Sequence, residues 1–213
     1  MKIISVNVGQ PREITVDGQT ILTGIFKEPI AGRVGVRRHN LDGDRQADLT
    51  VHGGVHKAVY AYGAEHYEFW KRELAEMELA FGGFGENLTT EGLVEADTNI
   101  GDIFKIGSAL LQVTQPRMPC YKLAAKFGRN DIIKRFMQSE RSGIYFSVIE
   151  EGELGAGDAI ELLERDKNEV RVRDITRLYA TQKYNVELLR RAVQVEALPV
   201  EWRDYFQEQL HKL

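Results

Sequence analysis

Two stretches carry most of the residues able to do chemistry. The first is Gln112-Val113-Thr114-Gln115-Pro116-Arg117-Met118-Pro119-Cys120-Tyr121-Lys122-Leu123, which holds the only cysteine of the 213 residues. An apolar, strand-like run leads into it, and its two prolines bias the chain away from helix. A helical pattern begins at or near Cys120, with Pro119 suited to a first helical position. A thiol at a helix start faces unpaired backbone N–H groups and the positive end of the dipole. Arg117 and Lys122 add cationic charge. Both effects favour the thiolate, the form that attacks electrophiles or ligates soft metals. The competing reading is a core cysteine, since free cysteine is among the most buried residue types.

The second stretch is Val51-His52-Gly53-Gly54-Val55-His56-Lys57-Ala58-Val59. Paired glycines let backbone approach a ligand closely or turn consecutive N–H groups towards an anion. His52, His56 and Lys57 add donors and positive charge. Two histidines four apart bind zinc when a helix carries them, but Gly53-Gly54 argues against a helix. A phosphate-facing loop is the better reading, in competition with a plain turn into a strand. Asn87 can donate and accept towards a ligand, or simply tie its own turn together. Leu41-Asp42-Gly43-Asp44-Arg45 is turn chemistry and lacks calcium-loop spacing.

The elements that must position these residues are mostly strands. Arg12–Val16 and Thr20–Phe26 flank the hairpin signal Asp17-Gly18, and 32–38 reads as a glycine-punctuated strand. A helix is expected over 65–77 with Phe69, Leu74 and Met77 inward, and Trp70 and Tyr67 as packing residues. Asp102–Ile106 and Ala109–Thr114 flank Gly107-Ser108. Beyond Cys120, Tyr121–Phe127 reads as a short helix closed by Gly128. A second helix capped by Asn130 or Asp131 follows, with Ile132, Ile133, Phe136 and Met137 on its apolar face. Strands are expected at 142–149 and 158–163, with a turn region over 152–157. A charged stretch at 164–168 marks a boundary, and three short helices follow in 174–180, 186–195 and 202–210. So short a tail makes no core of its own. It is expected to dock on the main domain or on a second subunit, as in a homodimer, with Trp202, Tyr205 and Phe206 as the docking or dimer face.

A net charge of −4 provides no global basic field to recruit nucleic acid. One cysteine excludes an internal disulfide and fits a reducing compartment. No apolar run reaches membrane-spanning length, and the amino terminus lacks a signal-peptide pattern. A cytoplasmic protein with no membrane association is expected.

His52-Gly53-Gly54 with Lys57-Ala58-Val59, then Phe84-Gly85-Glu86-Asn87-Leu88, Gly101-Asp102-Ile103-Phe104, and Gln115-Pro116-Arg117-x-Pro119-Cys120-x-Lys122-Leu123 together resemble the MOSC domain family. The resemblance is to its YiiM-like branch, linked to resistance to 6-hydroxylaminopurine. It implies a predominantly β fold with helices (α+β): a MOSC-type β-barrel over residues 1–165 and a three-helix segment over 166–213. It implies a molybdenum cofactor, a phosphorylated pterin dithiolene, with Cys120 as metal ligand. His52, Gly53, Gly54, Lys57 and Arg117 would lie near the cofactor or its anionic end, and Asn87 near the same pocket. Members of the family often carry an acidic residue where this chain has His56, so no role for His56 is implied. The implied activity is reduction of N-hydroxylated bases or related N-hydroxylated compounds. Cys120 is then catalytic, and His52 is a candidate acid on residue type. The chain has no nucleotide-binding glycine fingerprint and no iron–sulfur cysteine set, so electrons are expected from a separate flavin-type donor protein. The alternative is a non-catalytic module that carries the cofactor or a sulfur group.

Overall fold

The computed structural model describes residues 1–16, 18–47 and 53–213. Alternating apolar residues at the amino terminus form β1 (Lys2–Val8), with Ile3 and Val6 buried. The hairpin is β2 (Arg12–Val16) and β3 (Gln19–Thr23), in register from Arg12↔Thr23 to Val16↔Gln19. Next come β4 (Glu28–Pro29), β5 (Arg33–Val36) and β6 (Val59–Gly63). Helix α1 (Ala64–Glu73) is followed by β7 (Leu88–Glu91), β8 (Ile103–Ile106) and β9 (Ala109–Pro116). Then come α2 (Tyr121–Phe127), α3 (Ile132–Ser139), β10 (Ile144–Glu150), β11 (Gly152–Gly155) and β12 (Ile160–Glu164). The chain ends in α4 (Val172–Ala180), α5 (Val186–Ala192) and α6 (Val200–His211).

Eight strands form one sheet in the order β12-β8-β9-β10-β6-β7-β1-β4. Its pairings are antiparallel except β6 with β7. The expected barrel is not continuously closed. The outer edge of β1 is shared between two partners: Asn7 and Val8 pair with β4, while the first residues meet the turn before β12. There Ile3 N–H donates to Asp158 O and Ile160 N–H to Met1 O, both at 2.9 Å. Those bonds frame a single bridge, Lys2↔Ala159, which joins the two ends of the sheet without a full strand pair. The turn region expected at 152–157 contains a short strand instead, because β11 pairs with β5.

Helix α1 is shorter than its apolar pattern predicts; it buries His66, Tyr67 and Trp70, with Phe69 half-buried against the same cluster and Leu74, just past the helix, fully buried. The ring N–H of Trp70 donates to the Tyr62 hydroxyl at 2.6 Å, a bond that requires the indole to face inward. Helix α2 has the expected bounds and ends on Gly128 at φ 64°, the left-handed cap that glycine adopts without strain. The tail packs on its own sheet. Val172, Ile175, Leu189 and Phe206 are fully buried in the same apolar cluster as Val113 and Phe146. Each such side chain contributes roughly 1.5–3 kcal/mol on burial, enough in sum to dock three short helices. Among the described residues, no helix is long and apolar enough to cross a membrane.

Candidate functional site

Strand β9 delivers the chain to the thiol. Pro116 pairs with Ile144 at the strand's last position, Arg117 turns inward, and Cys120 stands directly before α2 with φ −130° and ψ 174°. The helix starts at Tyr121, so Pro119 lies outside it and not at its first turn. Cys120 is half-buried. It lines an open-sided cavity of about 100 Å³. Lys57, Asn87, Arg117 and Lys122 line the same cavity, together with Lys27, Asp44, Gln46, Tyr60 and Tyr145.

Arg117 is one of the buried cations of this site. Its guanidinium donates to the Phe84 carbonyl and lies 5.1 Å from the Tyr60 ring centre and 5.7 Å from that of Phe136. Burial works against its charge, but Tyr60, Tyr145 and Cys120 raise its pKa above the ordinary arginine value. Arg117 therefore stays protonated at every accessible pH. Burial raises the Tyr145 pKa, against the opposing pull of Arg117. Its hydroxyl therefore keeps its proton at neutral pH.

The Phe84 carbonyl is held in place by Glu86, which is fully buried. Glu86 accepts from the backbone N–H of Gly82 at 2.8 Å and of Phe84 at 3.1 Å, from Thr89 Oγ1 at 2.9 Å, and from the Tyr67 hydroxyl. The motif Phe84-Gly85-Glu86-Asn87 thus folds a loop around a carboxylate and aims one carbonyl at Arg117.

Asn87 faces the cavity, but its polar groups are used within the chain. Its Oδ1 accepts from Tyr60 N–H at 3.1 Å and its Nδ2 donates to Asp44 Oδ2 at 2.9 Å. Asp44 in turn accepts from Gly9 N–H at 2.9 Å and from Lys27 Nζ at 2.5 Å. Lys27 and Asp44 are both buried, with side chains 8% and 2% exposed. Sequence reasoning missed this pair. Asp44 reads locally as a turn residue, and Lys27 gains meaning only from the strands that enclose it.

Gly53 and Gly54 do not line the cavity; Gly54 turns the chain at φ 88°. Its carbonyl accepts from Lys57 N–H at 3.0 Å, closing a 3₁₀ turn over Val55–Lys57. That turn carries Lys57 to the cavity. Burial lowers the Lys57 pKa while the Glu201 carboxylate raises it. His56 is exposed and contributes its carbonyl, which accepts from Thr114 Oγ1 at 2.6 Å. His52, expected at the site, lies outside the described residues. Among the described residues, no group of three or more His, Cys, Asp and Glu could hold a metal ion.

A second cavity of about 230 Å³ adjoins Lys27 from another side, lined by Arg12, Phe26 and Lys126 among others. Lys126 Nζ donates to Gly82 O at 2.8 Å and Ile25 O at 3.0 Å. Burial pushes its pKa down to about 8, helped by Arg117, Lys27 and Arg12 and opposed by Glu86. The ordinary value is 10.5, so the folded chain releases this proton first as pH rises. The group's contribution to stability is thus lowest below about 8 and grows as pH climbs towards 10.5. Above pH 10 the buried tyrosines Tyr60, Tyr62 and Tyr67, whose pKa values are raised, oppose the trend. In urea titrations, the stability of the unaltered chain minus that of Lys126→Met should rise by about 1–2 kcal/mol between pH 8 and 10. A difference that stays flat across that range contradicts the assignment.

The chain belongs to the MOSC domain family, whose model matches residues 48–161. The model of the YiiM-like, 3-alpha helix domain matches residues 172–213. The chain is 41% identical to the uncharacterized protein YflK of Bacillus subtilis, over 99% of this chain and 95% of that one. It superimposes on the crystal structure of YiiM from Geobacillus stearothermophilus with a TM-score of 0.82 and 34% identity, over 98% of each chain. A Gibberella moniliformis protein named Reductase is 32% identical over 91% of this chain, which spans 35% of that longer protein.

Proposed function

We propose that this chain is a molybdenum-cofactor-dependent reductase of N-hydroxylated bases or related N-hydroxylated compounds, supplied with electrons by a separate flavin-type reductase. The observation that carries the reading is one half-buried thiol sharing a cavity with several cations. The donor set fits the group. A soft sulfur suits a soft, high-valent metal, and arginine and lysine suit a phosphorylated pterin. Cys120 would hold the metal, and Arg117, Lys57 and Lys122 would face the anionic end. Bound there, the cofactor supplies a two-electron metal centre able to take an oxygen atom from substrate.

The chain's own residues set the environment. Arg117 keeps a fixed positive charge beside the thiol. Tyr145 presents an O–H to the cavity at neutral pH. Asp44, itself held by Asn87, pins Lys27, so that its charge is localised. Each N–OH bond broken consumes two electrons and two protons and yields the amine and water. The Gibberella relative's name supports a redox role.

The test is to purify the protein from a host that makes the cofactor, measure molybdenum and pterin, and assay reduction of an N-hydroxylated base with a flavin reductase and NADPH. Stoichiometric molybdenum and donor-dependent turnover are expected. A protein devoid of cofactor, while the host's other molybdoenzymes are loaded, ends the proposal. A loaded protein that turns over nothing would instead be a carrier.

A further inference from the structure

The first turn of α6 reaches both stretches that carry the site's chemistry. Trp202 Nε1–H donates to Gln115 Oε1 at 2.8 Å. Gln115 lies on β9, the strand that leads to Cys120, and is 5% exposed. Its Nε2 donates to the His56 carbonyl at 3.4 Å, and Thr114 Oγ1 donates to that carbonyl at 2.6 Å. His56 immediately precedes Lys57 on the 3₁₀ turn. The residue before Trp202, Glu201, acts electrostatically on Lys57. Gln115 is therefore a node between the tail, the strand that leads to the cysteine and the turn that brings Lys57 to the cavity.

Trp202 is itself fixed from behind. Its ring lies 5.6 Å from that of the fully buried Phe206 and, edge-on, 5.6 Å from that of Tyr179. Packing alone would be served by a phenylalanine. The indole adds a directed N–H, and here that N–H is spent on a side-chain amide of the site strand.

We propose that Trp202 is a positioning residue for the cavity: through Gln115, the three-helix tail sets how the Cys120 strand and the Lys57 turn stand relative to each other. Tail docking and ligand seating are then coupled, and the coupling is reciprocal. This rests on the cavity being a ligand seat and not on which ligand fills it.

Iodoacetamide alkylation of Cys120 in the full-length chain, with no cofactor added, reads the placement directly. Trp202→Phe keeps the ring and removes the donor. Gln115→Ala removes the node. Each should speed alkylation by about threefold to tenfold as local opening becomes more frequent. The double variant should be no faster than the quicker single one, because both lose the same bond. Gln115→Glu keeps an acceptor oxygen for the indole but loses the donor to the His56 carbonyl and buries a charge, so it too should speed alkylation. Folded Trp202→Phe and Gln115→Ala proteins whose rates match the unaltered chain would overturn the inference, as would effects that multiply in the double variant. Such a result leaves the cofactor proposal standing. A thiol that reacts only after unfolding would overturn both this inference and the reading of the cavity.

Discussion

Cys120→Ser is expected to abolish molybdenum retention and reduction of N-hydroxylated substrate while leaving the fold in place. A serine hydroxyl is a hard, protonated donor at neutral pH, so it replaces neither the charge nor the softness of a thiolate. Loss of a metal's outer-shell partners alone costs about 10–100-fold in affinity or activity. Loss of the ligating atom should exceed the upper end of that range. Stability should hardly change. Cys120 is half-buried, and its side chain neither caps α2 nor belongs to either apolar cluster. The cost of such a substitution is about 1 kcal/mol or less, a melting shift of roughly 2–4 °C. Elemental analysis, activity and thermal melting on one preparation separate the two effects. A variant that retains stoichiometric molybdenum would remove Cys120 from the metal's coordination. A variant that melts more than about 10 °C lower would mark the cysteine as a packing residue after all.

The site was partly legible in the residues because part of it is local. Arg117, Cys120 and Lys122 fall within one turn of chain, and the proline-rich approach announces that a strand ends and a helix begins. Helix α2 could be placed with its correct ends because Gly128 closes it. What stayed hidden was assembled by strand pairing. Lys27 and Asp44 are far apart in sequence, and neither has an unusual neighbour that would mark it as buried. They meet because β1, the hairpin and the turn after β5 converge on one cavity. Asn87 shows the same gap from the other side. Its residue type advertises ligand binding, yet its amide is spent on Asp44 and on the backbone of Tyr60. The inward residues around α1 were legible, since Leu74, Tyr67 and Trp70 are buried and Phe69 and Met77 pack against them, but the end of the helix was not: it stops at Glu73, short of the apolar residues that follow. Closure of the sheet depends on how β1 divides its outer edge, which no local pattern encodes.

Asp44→Ala should be the most destabilising single change at the site and should at the same time tighten anion binding. Three groups lose their acceptor together: the Lys27 ammonium, the Gly9 N–H and the Asn87 amide. The ammonium is decisive, because burial already lowers the Lys27 pKa and the Asp44 carboxylate is the main group holding it up. Removing one member of a buried ion pair costs about 3–5 kcal/mol, which for a chain of this size is a melting decrease of roughly 6–20 °C. Part of that loss would be relieved if Lys27 gave up its proton, so destabilisation should lessen as pH rises. The sign follows from the lowered folded pKa: the variant's stability rises with pH through that value, where the unfolded chain still holds the proton. Anion affinity should move the other way. While Lys27 keeps its proton the cavity gains one unit of positive charge, so towards lower pH inorganic phosphate should protect Cys120 from iodoacetamide at lower concentration in Asp44→Ala than in the unaltered chain. A double variant, Lys27→Met with Asp44→Leu, should recover much of the stability, since a buried pair replaced by apolar groups is often neutral. It should also lose the gain in phosphate protection. If Asp44→Ala melts within about 2 °C of the unaltered chain, the buried pair is not what holds this side of the cavity.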